Sequence, residues 1–390
     1  MIPHPTSAEL IELETAHTSG VYPKRPVAIV RGEGAALWDA DGREYIDCVA
    51  GQGAANLGHA HPAVVAAVSE QAARLISCTE IFPNDQRAAY QSELLATLPG
   101  FARVFLCNSG AEAIEGALKF ARLLTGRTGV VAAVRGFHGR TMGALSATWE
   151  PKYREPFLPL IDGVAHIPYD RVEALDAAVG ETTAAVLLEV VQGEGGVRPA
   201  SPGYLAAAER ICAERGALLV LDEVQTGFGR TGRLWGYQHF GITPALIAMS
   251  KSIGGGLPLG AIAIHERLGA LPQGSHGSTF GGNPLVCAAA RAALRALQAE
   301  DLPRQADEKG AYLVEQLRAR ALPKVREVRG MGLLVGLELK ERVQPTLVAL
   351  MERGVLALPA GPNVLRLLPP LVISYPQIDR VIEMVAAVLG

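Results

Sequence analysis

The sequence predicts an α/β fold, with a large domain built on a mainly parallel sheet and a smaller α+β domain at the C-terminus. Two observations support this. Through the middle of the chain, short uninterrupted apolar runs alternate with longer amphipathic stretches, as expected for strands that helices cover on both faces. After Pro284 the pattern changes to one long helical stretch followed by shorter strands. A chain of 390 residues is long for one domain and sufficient for two.

The N-terminal segment, 1–50, is expected to pack with the small domain. Its stretch AIVRGEGAALWDADGREYIDC contains two strand-like runs on either side of Asp41-Gly42, which predicts a β-hairpin. The large domain is predicted over 51–285 and the small domain over 286–390.

Strands of the large domain are predicted at RVFLC (103–107), VVAAV (130–134), AAVLLEVV (184–191), ALLVLD (217–222), ALIAM (245–249) and AIAIH (261–265). Helices are predicted at SGAEAIEGALKFARLL and PGYLAAAERICAERG. The small domain is expected to contain the helix LVCAAARAALRALQAE, strands within REVRGMGLLVGLELK and VLRLLPPL, and a closing helix.

Composition excludes several classes of function. The net charge is −3 and no run of Lys or Arg occurs, so neither nucleic acid nor an anionic membrane surface is expected as a partner. The five cysteines are far apart and form no C-x-x-C, which predicts free buried thiols and no metal site. The N-terminal stretch carries acids and prolines where a signal peptide needs an apolar core, and no apolar run approaches the ~20 residues of a membrane span. A cytoplasmic protein is the expectation.

Candidate site residues occur where predicted strands end, the edge at which open α/β sheets bind ligands. In CNSGAEAIE (107–115), Ser109 and Glu112 fit a capping box, which alone indicates only a well-capped helix. Gly110, however, leaves backbone N–H groups open at the positive helix end, where a phosphate binds well. Asp222 ends an apolar strand, where a carboxylate either caps a loop or meets a cation.

Two further stretches add an aromatic ring and an amine. In VRGFHGRTMG (134–143), Phe137 is either core filler or a surface for a planar ligand, and Arg140 is either a surface charge or a fork for a carboxylate. In AMSKSIGGG (248–256), Lys251 taken alone resembles a solvated strand end. If it is desolvated, the amine loses its proton more easily and can form a Schiff base with an aldehyde.

One cofactor uses all of these groups. Pyridoxal 5′-phosphate has an aldehyde for a lysine, a pyridine nitrogen for a carboxylate, a flat ring for an aromatic side chain and a phosphate for a helix N-terminus. The sequence therefore predicts a pyridoxal-phosphate enzyme in which Lys251 and Asp222 are catalytic and Lys251 also carries a proton.

The motifs LDEVQTGFGRTG and SKSIGGGLPLGA resemble those of the class III (ω-amino) aminotransferases of pyridoxal-phosphate fold type I. NSGAEAIEGALKFAR, GFHGRTMGALS, EVVQGEGGVRPA and HGSTFGGNPLVCAAA are similar to that family too, and the resemblance covers nearly the whole chain. It implies a seven-stranded type of sheet in the large domain, and a homodimer with active sites at the interface.

The resemblance also implies a set of cofactor-binding residues: Ser109, Gly110, Ala111, Phe137, Asp222, Glu223, Val224, Gln225, Lys251 and Thr279. Within the set, Val224 and Phe137 are expected on the two ring faces, Gln225 at the ring hydroxyl, and Ser109 to Ala111 at the phosphate. Thr279 is expected to reach the phosphate bound by the neighbouring subunit.

Substrate-binding residues follow from the same resemblance: Arg140, Glu194, Arg366, Ser278, Tyr22 and Gln52. Arg140 is expected to hold the substrate α-carboxylate. Glu194 and Arg366 are expected to form an ion pair that opens when glutamate binds, so that one site accepts two substrates. Glu80 and Phe82 lie in a stretch that shapes the substrate entrance in the family.

TWEPKYREPFLPL and QGEGGVRPASPGYL resemble the branch that includes acetylornithine aminotransferases and enzymes acting on carrier-linked 2-aminoadipate 6-semialdehyde. The implied reaction moves a terminal amino group between glutamate and an N-blocked amino acid semialdehyde, in lysine or arginine biosynthesis. A small acidic amino-group carrier protein is an implied partner. An ornithine or 4-aminobutyrate aminotransferase, and an amino acid racemase or aminomutase, stay open as alternatives.

Overall fold

The structure is a computed structural model that describes residues 5–390. Within that range, none of the helices is long and apolar enough to cross a membrane. All five cysteines lie in the range as free thiols, and Cys48, Cys107, Cys212 and Cys287 are buried. The prediction of free, mostly buried thiols is confirmed.

The strands follow in chain order as β1 (Ile29–Glu33), β2 (Ala36–Asp39), β3 (Glu44–Asp47), β4 (Phe101–Cys107), β5 (Gly129–Ala133), β6 (Val164–Ile167), β7 (Thr183–Glu189), β8 (Val191–Gln192), β9 (Arg198–Pro199), β10 (Leu218–Asp222), β11 (Leu246–Met249), β12 (Gly260–His265), β13 (Val325–Met331), β14 (Leu334–Leu339), β15 (Val355–Leu356), β16 (Leu358–Pro359) and β17 (Val364–Leu367).

The α-helices are α1 (Ser7–His17), α2 (Ala50–Gly53), α3 (Pro62–Ala72), α4 (Asp85–Leu95), α5 (Gly110–Thr125), α6 (Met142–Ala147), α7 (Pro151–Arg154), α8 (Val172–Ala178), α9 (Pro202–Arg215), α10 (Pro284–Ala299), α11 (Leu302–Ala319), α12 (Gln344–Glu352) and α13 (Tyr375–Leu389). Single 3₁₀ turns occur at Glu155–Phe157, Gly236–His239, Lys251–Gly254 and Glu266–Leu268.

Seven strands form the central sheet in the order β4-β12-β11-β10-β7-β5-β6. Strands β11, β10, β7, β5 and β6 pair in parallel, whereas β12 runs antiparallel to both of its neighbours. Every residue of β7 is buried, and its sequence accordingly is uninterruptedly apolar from Ala184 to Leu188 and does not alternate. The predicted mainly parallel sheet is confirmed.

Helices cover both faces of this sheet. Along β10, Val220 packs in the core that contains α5, while Leu219 and Leu221 pack in the larger core that contains α9. Successive side chains of a strand point to opposite faces, so α5 and α9 lie on opposite sides. Both helices end at a left-handed glycine, Gly126 (φ 69°) and Gly216 (φ 67°), as helices commonly do.

Two smaller four-stranded sheets lie outside the central one, in the orders β1-β2-β3-β15 and β13-β14-β17-β16. The predicted hairpin is present as β2 and β3, which pair antiparallel across Asp41 and Gly42. Because β3 also pairs with β15, the N-terminal strands join a strand near the end of the chain. Helix α10 packs on α3 and α4, so the helix after Pro284 keeps contact with preceding elements. The domain bounds 1–50, 51–285 and 286–390 stay a prediction.

Candidate active site

A cavity of about 200 Å³, called here the inner cavity, lies at the edge where the parallel strands β5, β7, β10 and β11 end. Eight residues that the sequence singled out line it: Gly110, Ala111, Phe137, Glu194, Asp222, Val224, Gln225 and Lys251. The remaining lining residues are His138, Gly139, Glu189 and Ser250. The fold therefore brings together the start of the helix at Gly110, the loop with Phe137, the strand end at Asp222 and the turn at Lys251, as their positions at strand ends predict.

Lys251 follows β11 and begins a 3₁₀ turn with a backbone φ of 53°. Hydroxyl groups fix the turn on both sides, since Ser250 Oγ donates to the Leu259 carbonyl (2.7 Å) and Ser252 Oγ donates to the Gly53 carbonyl (2.7 Å). Burial lowers the pKa of Lys251 to about 8, although the nearby carboxylate of Glu194 acts in the opposite direction. A larger fraction of this amine is therefore neutral near physiological pH than in an exposed lysine.

Asp222, the last residue of β10, lies beside Glu189, the last residue of β7. His138 Nδ1 is 2.8 Å from Asp222 Oδ2, and Asp222 Oδ1 accepts a hydrogen bond from the Val224 amide at 3.0 Å. Burial lowers the pKa of His138, but the hydrogen bond and charge of Asp222, together with the charge of Glu189, raise it overall. The hydrogen bond with His138 fixes the orientation of the buried Asp222 carboxylate.

Glu189 joins two loops of the site. Its carboxylate accepts hydrogen bonds from the amides of Phe137 (3.0 Å) and Gly193 (3.1 Å). The first amide belongs to the loop after β5, and the second to the loop that carries Glu194. Burial raises the pKa of the Glu189 carboxyl, while the neighbouring His138 acts against that rise. Glu189 thus connects the loop that carries Phe137 to the loop that carries Glu194.

The start of α5 presents open backbone N–H groups to the cavity. Ser109 is the N-cap, and its Oγ accepts from the Glu112 amide at 3.1 Å. The predicted capping box is only half correct, because the Glu112 carboxylate accepts from the Asn108 amide (3.0 Å) instead of that of Ser109. A Cβ on Gly110 would lie 2.9 Å from Val224 Cγ1, so only glycine fits there without a shift. The first N–H groups of a helix have no partner within it.

Arg366 on β17 enters the cavity region from the small sheet. Its side chain is 2% exposed, and its Nη2 is 2.6 Å from Glu194 Oε1. Its Nη1 donates to Gln225 Oε1 at 3.1 Å, and its Nε is buried with no hydrogen-bond partner among residues 5–390. The glutamate is 33% exposed, so it is the partner that can move away. The predicted ion pair between Glu194 and Arg366 is present in the structure.

Arg140 lies outside the inner cavity but close to it. Its guanidinium carbon is 3.6 Å from the centroid of the Tyr153 ring and 5.6 Å from that of Phe137. The two rings meet edge to face at 6.1 Å. Arg140 is exposed and forms no ion pair within the described residues, so its charge is available beside the aromatic wall.

Other residues predicted from the sequence lie away from the inner cavity. Tyr22 and Thr279 are exposed on the surface. Gln52 is exposed too, and it precedes Gly53, whose backbone approaches the Lys251 side chain. Ser278 Oγ accepts from Asn108 Nδ2 at 3.1 Å, which places Thr279 on the same side of the molecule as the start of α5.

Glu223 does not line the inner cavity. Its buried carboxylate accepts from Thr226 Oγ1 (2.6 Å) and from the amides of Gly236 (3.0 Å) and Tyr237 (2.6 Å). Neighbouring residues of an extended chain point in opposite directions, so Glu223 turns away from the cavity that Asp222 faces. It supports the loop after β10, and its predicted contact with the cofactor stays a prediction.

His138 and Glu189 were absent from the predicted site. The signal for Glu189 was in the sequence, because AAVLLE ends in an acid as LLVLD does and the two strands pair in register. His138 stands next to Phe137 in the same loop, but only the fold shows that its ring reaches Asp222.

Comparisons with known proteins agree with this geometry. Residues 19–389 match the family model described as aminotransferase class-III. The chain belongs to the class-III aminotransferase family. It is 53% identical over 382 residues to the [LysW]-aminoadipate semialdehyde transaminase of Deinococcus radiodurans, covering 97% of this chain and 89% of that one. It is 46% identical over 375 residues to the acetylornithine aminotransferase of Methanosarcina acetivorans, covering 96% and 94%.

Solved structures of aminotransferases share the fold. An ornithine aminotransferase from Toxoplasma gondii, with partial occupancy of PLP at its active site, superposes with a TM-score of 0.95 at 35% identity, covering 99% of this chain and 94% of that chain. The acetylornithine aminotransferase of Elizabethkingia anophelis gives a TM-score of 0.87 at 31% identity, covering 99% of both. This chain is therefore an aminotransferase that depends on pyridoxal 5′-phosphate.

The residues of the inner cavity fit that cofactor. Lys251 offers an amine whose pKa is lowered to about 8, and Asp222 offers a carboxylate held by an imidazole. The start of α5 offers open N–H groups where a side chain on Gly110 would meet Val224. An amine, a carboxylate and an anion-binding helix end in one cavity match the aldehyde, the pyridine nitrogen and the phosphate.

Proposed function

We propose that this aminotransferase moves a terminal amino group between glutamate and an N-blocked amino acid semialdehyde. The observation that carries the proposal is the ion pair between Glu194 and Arg366 in contact with the cavity that holds Lys251. The names of the two relatives support it, since one acts on a carrier-linked semialdehyde and the other is an acetylornithine aminotransferase. Both names describe substrates whose α-nitrogen is blocked.

We assign the cofactor contacts as follows. Lys251 Nζ would hold the aldehyde, Asp222 would face the pyridine nitrogen, and Ser109, Gly110 and Ala111 would bind the phosphate. Phe137 and Val224 would contact the ring faces, and Gln225 would lie at the ring hydroxyl. When bound, pyridoxal phosphate supplies an electrophilic carbon and a ring that accepts the electron pair of the substrate.

Lys251 is also the base of the reaction. Once the amine of the substrate has displaced Lys251 from the aldehyde, its free Nζ would take the proton from the substrate carbon that bears the transferred amine and would return it in the reverse direction. A base works best with a pKa near the working pH, and burial moves the pKa of Lys251 from its ordinary value to about 8. His138 holds the Asp222 carboxylate in one orientation throughout.

The pair of Glu194 and Arg366 lets one cavity accept two kinds of substrate. With the pair closed, the buried guanidinium is neutralised, and a terminal amine with no charged group nearby can enter. Glutamate carries an α-carboxylate, which forms a bidentate contact with Arg366 once Glu194 moves into solvent. The mobility that this exchange needs agrees with the 33% exposure of Glu194.

Arg140 is proposed to hold the α-carboxylate of the N-blocked substrate, at the aromatic wall formed by Tyr153 and Phe137. The enzyme is proposed to work as a homodimer in which Thr279 reaches the cofactor phosphate of the other subunit. Its exposed position beside the start of α5 supports this. A small acidic carrier protein is the proposed source of the blocking group, and the cytoplasm the proposed location.

A substrate panel tests the function. We expect glutamate alone to release 2-oxoglutarate and leave an aminated cofactor. We expect carrier-linked lysine and N-acetylornithine to be better amino donors than ornithine or 4-aminobutyrate, because the latter two lack a blocked α-nitrogen. A protein that inverts glutamate without releasing 2-oxoglutarate is a racemase, and that result contradicts the proposal.

A further inference from the structure

Three residues stand opposite one another in the four-stranded sheet that contains Arg366. Arg329 of β13 pairs with Gly336 of β14, and Gly336 pairs in turn with Arg366 of β17, both in antiparallel register. Residues directly opposite in an antiparallel pair project their side chains from the same face of the sheet. The two arginines therefore share one face, with a glycine between them. We name Arg329, Gly336 and Arg366 the arginine row.

The loop 194–197 lies on this face and contacts the row at both of its ends. At the start of the loop, Glu194 Oε1 is 2.6 Å from Arg366 Nη2. At its end, Val197 lies over the glycine, because a Cβ on Gly336 would come within 2.8 Å of Val197 Cβ. A larger residue at position 336 would therefore compete with the loop for the same space.

Arg329 holds the end of the loop through its backbone. The arginine is buried, and its Nε donates to the carbonyls of Gly196 and Val197, each at 3.0 Å. Its Nη2 donates to the Gly196 carbonyl as well, at 2.6 Å. Its Nη1 contacts the carboxylates of Glu338 at 2.8 Å and Glu327 at 2.5 Å, which neutralise its charge. Arg329 is therefore suited to fixing the loop and not to binding a substrate carboxylate.

The loop needs such a restraint because its backbone is strained. Val197 has a backbone φ of 51°, a left-handed conformation that costs a β-branched residue about 1–3 kcal/mol. Arg329 restrains the chain after Glu194. The Gly193 amide, which donates to the Glu189 carboxylate at 3.1 Å, restrains the chain before it. With the backbone fixed on both sides, Glu194 moves by rotation of its side chain alone.

We propose that Arg329 is a positioning residue of the reaction, which holds the loop so that Glu194 returns to Arg366 each time glutamate leaves. This inference rests on the proposed function, in which that ion pair lets one cavity accept two substrates. Without Arg329, the strain at Val197 is released and the end of the loop leaves the row. Glu194 then pairs with Arg366 less often, which favours glutamate and disfavours a substrate with no charged group near its terminal amine.

The test compares two amino donors in the holoenzyme, N-acetylornithine and glutamate, each followed as a half-reaction by the absorbance of the cofactor. The measured quantity is the ratio of kcat/KM for N-acetylornithine to kcat/KM for glutamate. We expect R329Q to lower this ratio about fivefold, through a lower KM for glutamate and a higher KM for N-acetylornithine, with kcat for glutamate unchanged. An equal loss with both donors shows that Arg329 only supports the fold, and overturns the proposal.

The double variant E194Q with R329Q separates positioning from an independent effect. In E194Q the side chain at position 194 cannot neutralise Arg366 wherever the loop lies. Adding R329Q should therefore leave the ratio of E194Q as it is, because the two changes act through one contact. A further fivefold fall in the double variant shows that Arg329 acts without Glu194, and overturns the proposal.

G336A tests the row at its centre and leaves Arg329 in place. The added Cβ displaces Val197, so the ratio should fall in the same direction as in R329Q. Thermal unfolding identifies the variants that fold, and G336A decides the question if R329Q does not. An unchanged ratio in either folded variant contradicts the proposal.

The matched control is R127Q. Arg127 Nη1 also donates to two backbone carbonyls, those of Thr183 (3.2 Å) and Arg215 (2.7 Å), at the opposite edge of the central sheet. This change should leave the ratio as it is in the unaltered enzyme.

E194Q alone distinguishes a failure of this inference from a failure of the proposed function. If E194Q leaves the ratio unchanged, the dual-substrate role of Glu194 fails and the positioning role of Arg329 fails with it. If E194Q lowers the ratio and R329Q does not, only the positioning role fails.

Discussion

At the scale of single residues, the site depends on a lysine made less basic and on a carboxylate held by a histidine. Lys251 loses part of its hydration in the cavity, which lowers its pKa to about 8. Asp222 gains a hydrogen bond from an imidazole whose pKa is raised overall. The surroundings therefore lower the pKa of Lys251 and raise that of His138. Such shifted pKa values are characteristic of catalytic sites.

The lowered pKa of Lys251 predicts its reactivity in the cofactor-free protein. Only the neutral amine reacts with an amine-directed reagent, so labelling should rise with pH and be half complete near pH 8, well below the ordinary lysine value of 10.5. Mass spectrometry of the peptide around position 251 measures the labelled fraction at each pH, with the exposed Lys340 as an internal reference. Half-labelling of Lys251 above pH 10 contradicts the account.

Removing the charge of Asp222 should slow the chemistry without unfolding the protein. In D222N the amide keeps the shape of the side chain but provides no anion for the pyridine nitrogen. We expect kcat to fall about 10²–10³-fold, as when a charge-stabilising group is removed from an active site. Thermal unfolding checks that the fold survives, and an unchanged kcat in a folded protein shows that Asp222 does not perform the assigned role.

At the scale of elements, the strands that carry the site residues were easier to predict from the sequence than the way in which those strands pair. Apolar runs and the residues at their ends predicted β10 with Asp222 and β11 followed by Lys251, because a buried strand that ends in a charge is a local pattern. The antiparallel direction of β12 was not predictable, since strand direction depends on how distant segments pair. The contact of His138 with Asp222 likewise needs two loops 84 residues apart.

The ion pair between β17 and the loop after β8 makes a prediction about substrate choice. In E194Q the side chain keeps its size, but Arg366 is no longer neutralised when glutamate is absent. We expect the KM for glutamate to fall and kcat/KM for N-acetylornithine to fall about tenfold, because the terminal amine then meets an unpaired buried cation. Steady-state kinetics with each substrate measure the change.

The control for this prediction is E93Q, since Glu93 pairs with Arg291 and Arg295 far along the sequence from the site. E93Q should change neither the KM for glutamate nor kcat/KM for N-acetylornithine. Parallel changes for glutamate and N-acetylornithine in E194Q contradict the dual-substrate account.

At the scale of the whole molecule, two large aromatic side chains are exposed on segments that one arginine connects. Phe82 is 61% exposed and Phe280 is 60% exposed. Arg87 holds their segments together, because it donates to the carbonyls of Phe82 and Gly282. Thr279 precedes Phe280, so the exposed apolar residues adjoin the residue proposed to reach the other subunit. Apolar patches of this kind mark association surfaces.

We therefore expect F280D to shift the protein from dimer to monomer and to weaken cofactor binding. A charge at the centre of an apolar interface leaves an unpaired ion buried in the dimer. Sedimentation velocity and cofactor titration measure the two effects. V348D, which alters an exposed apolar side chain on α12, should affect neither. A monomeric unaltered protein with full activity contradicts the proposed dimer.

The most direct test of the central claim locates the covalent bond. Borohydride converts the bond between the lysine and the cofactor into a stable one. The reduced holoenzyme is then digested and analysed by mass spectrometry. The account predicts the added cofactor mass on Lys251, and its loss when the enzyme is first incubated with glutamate. A cofactor mass on another lysine, or on none, would contradict it.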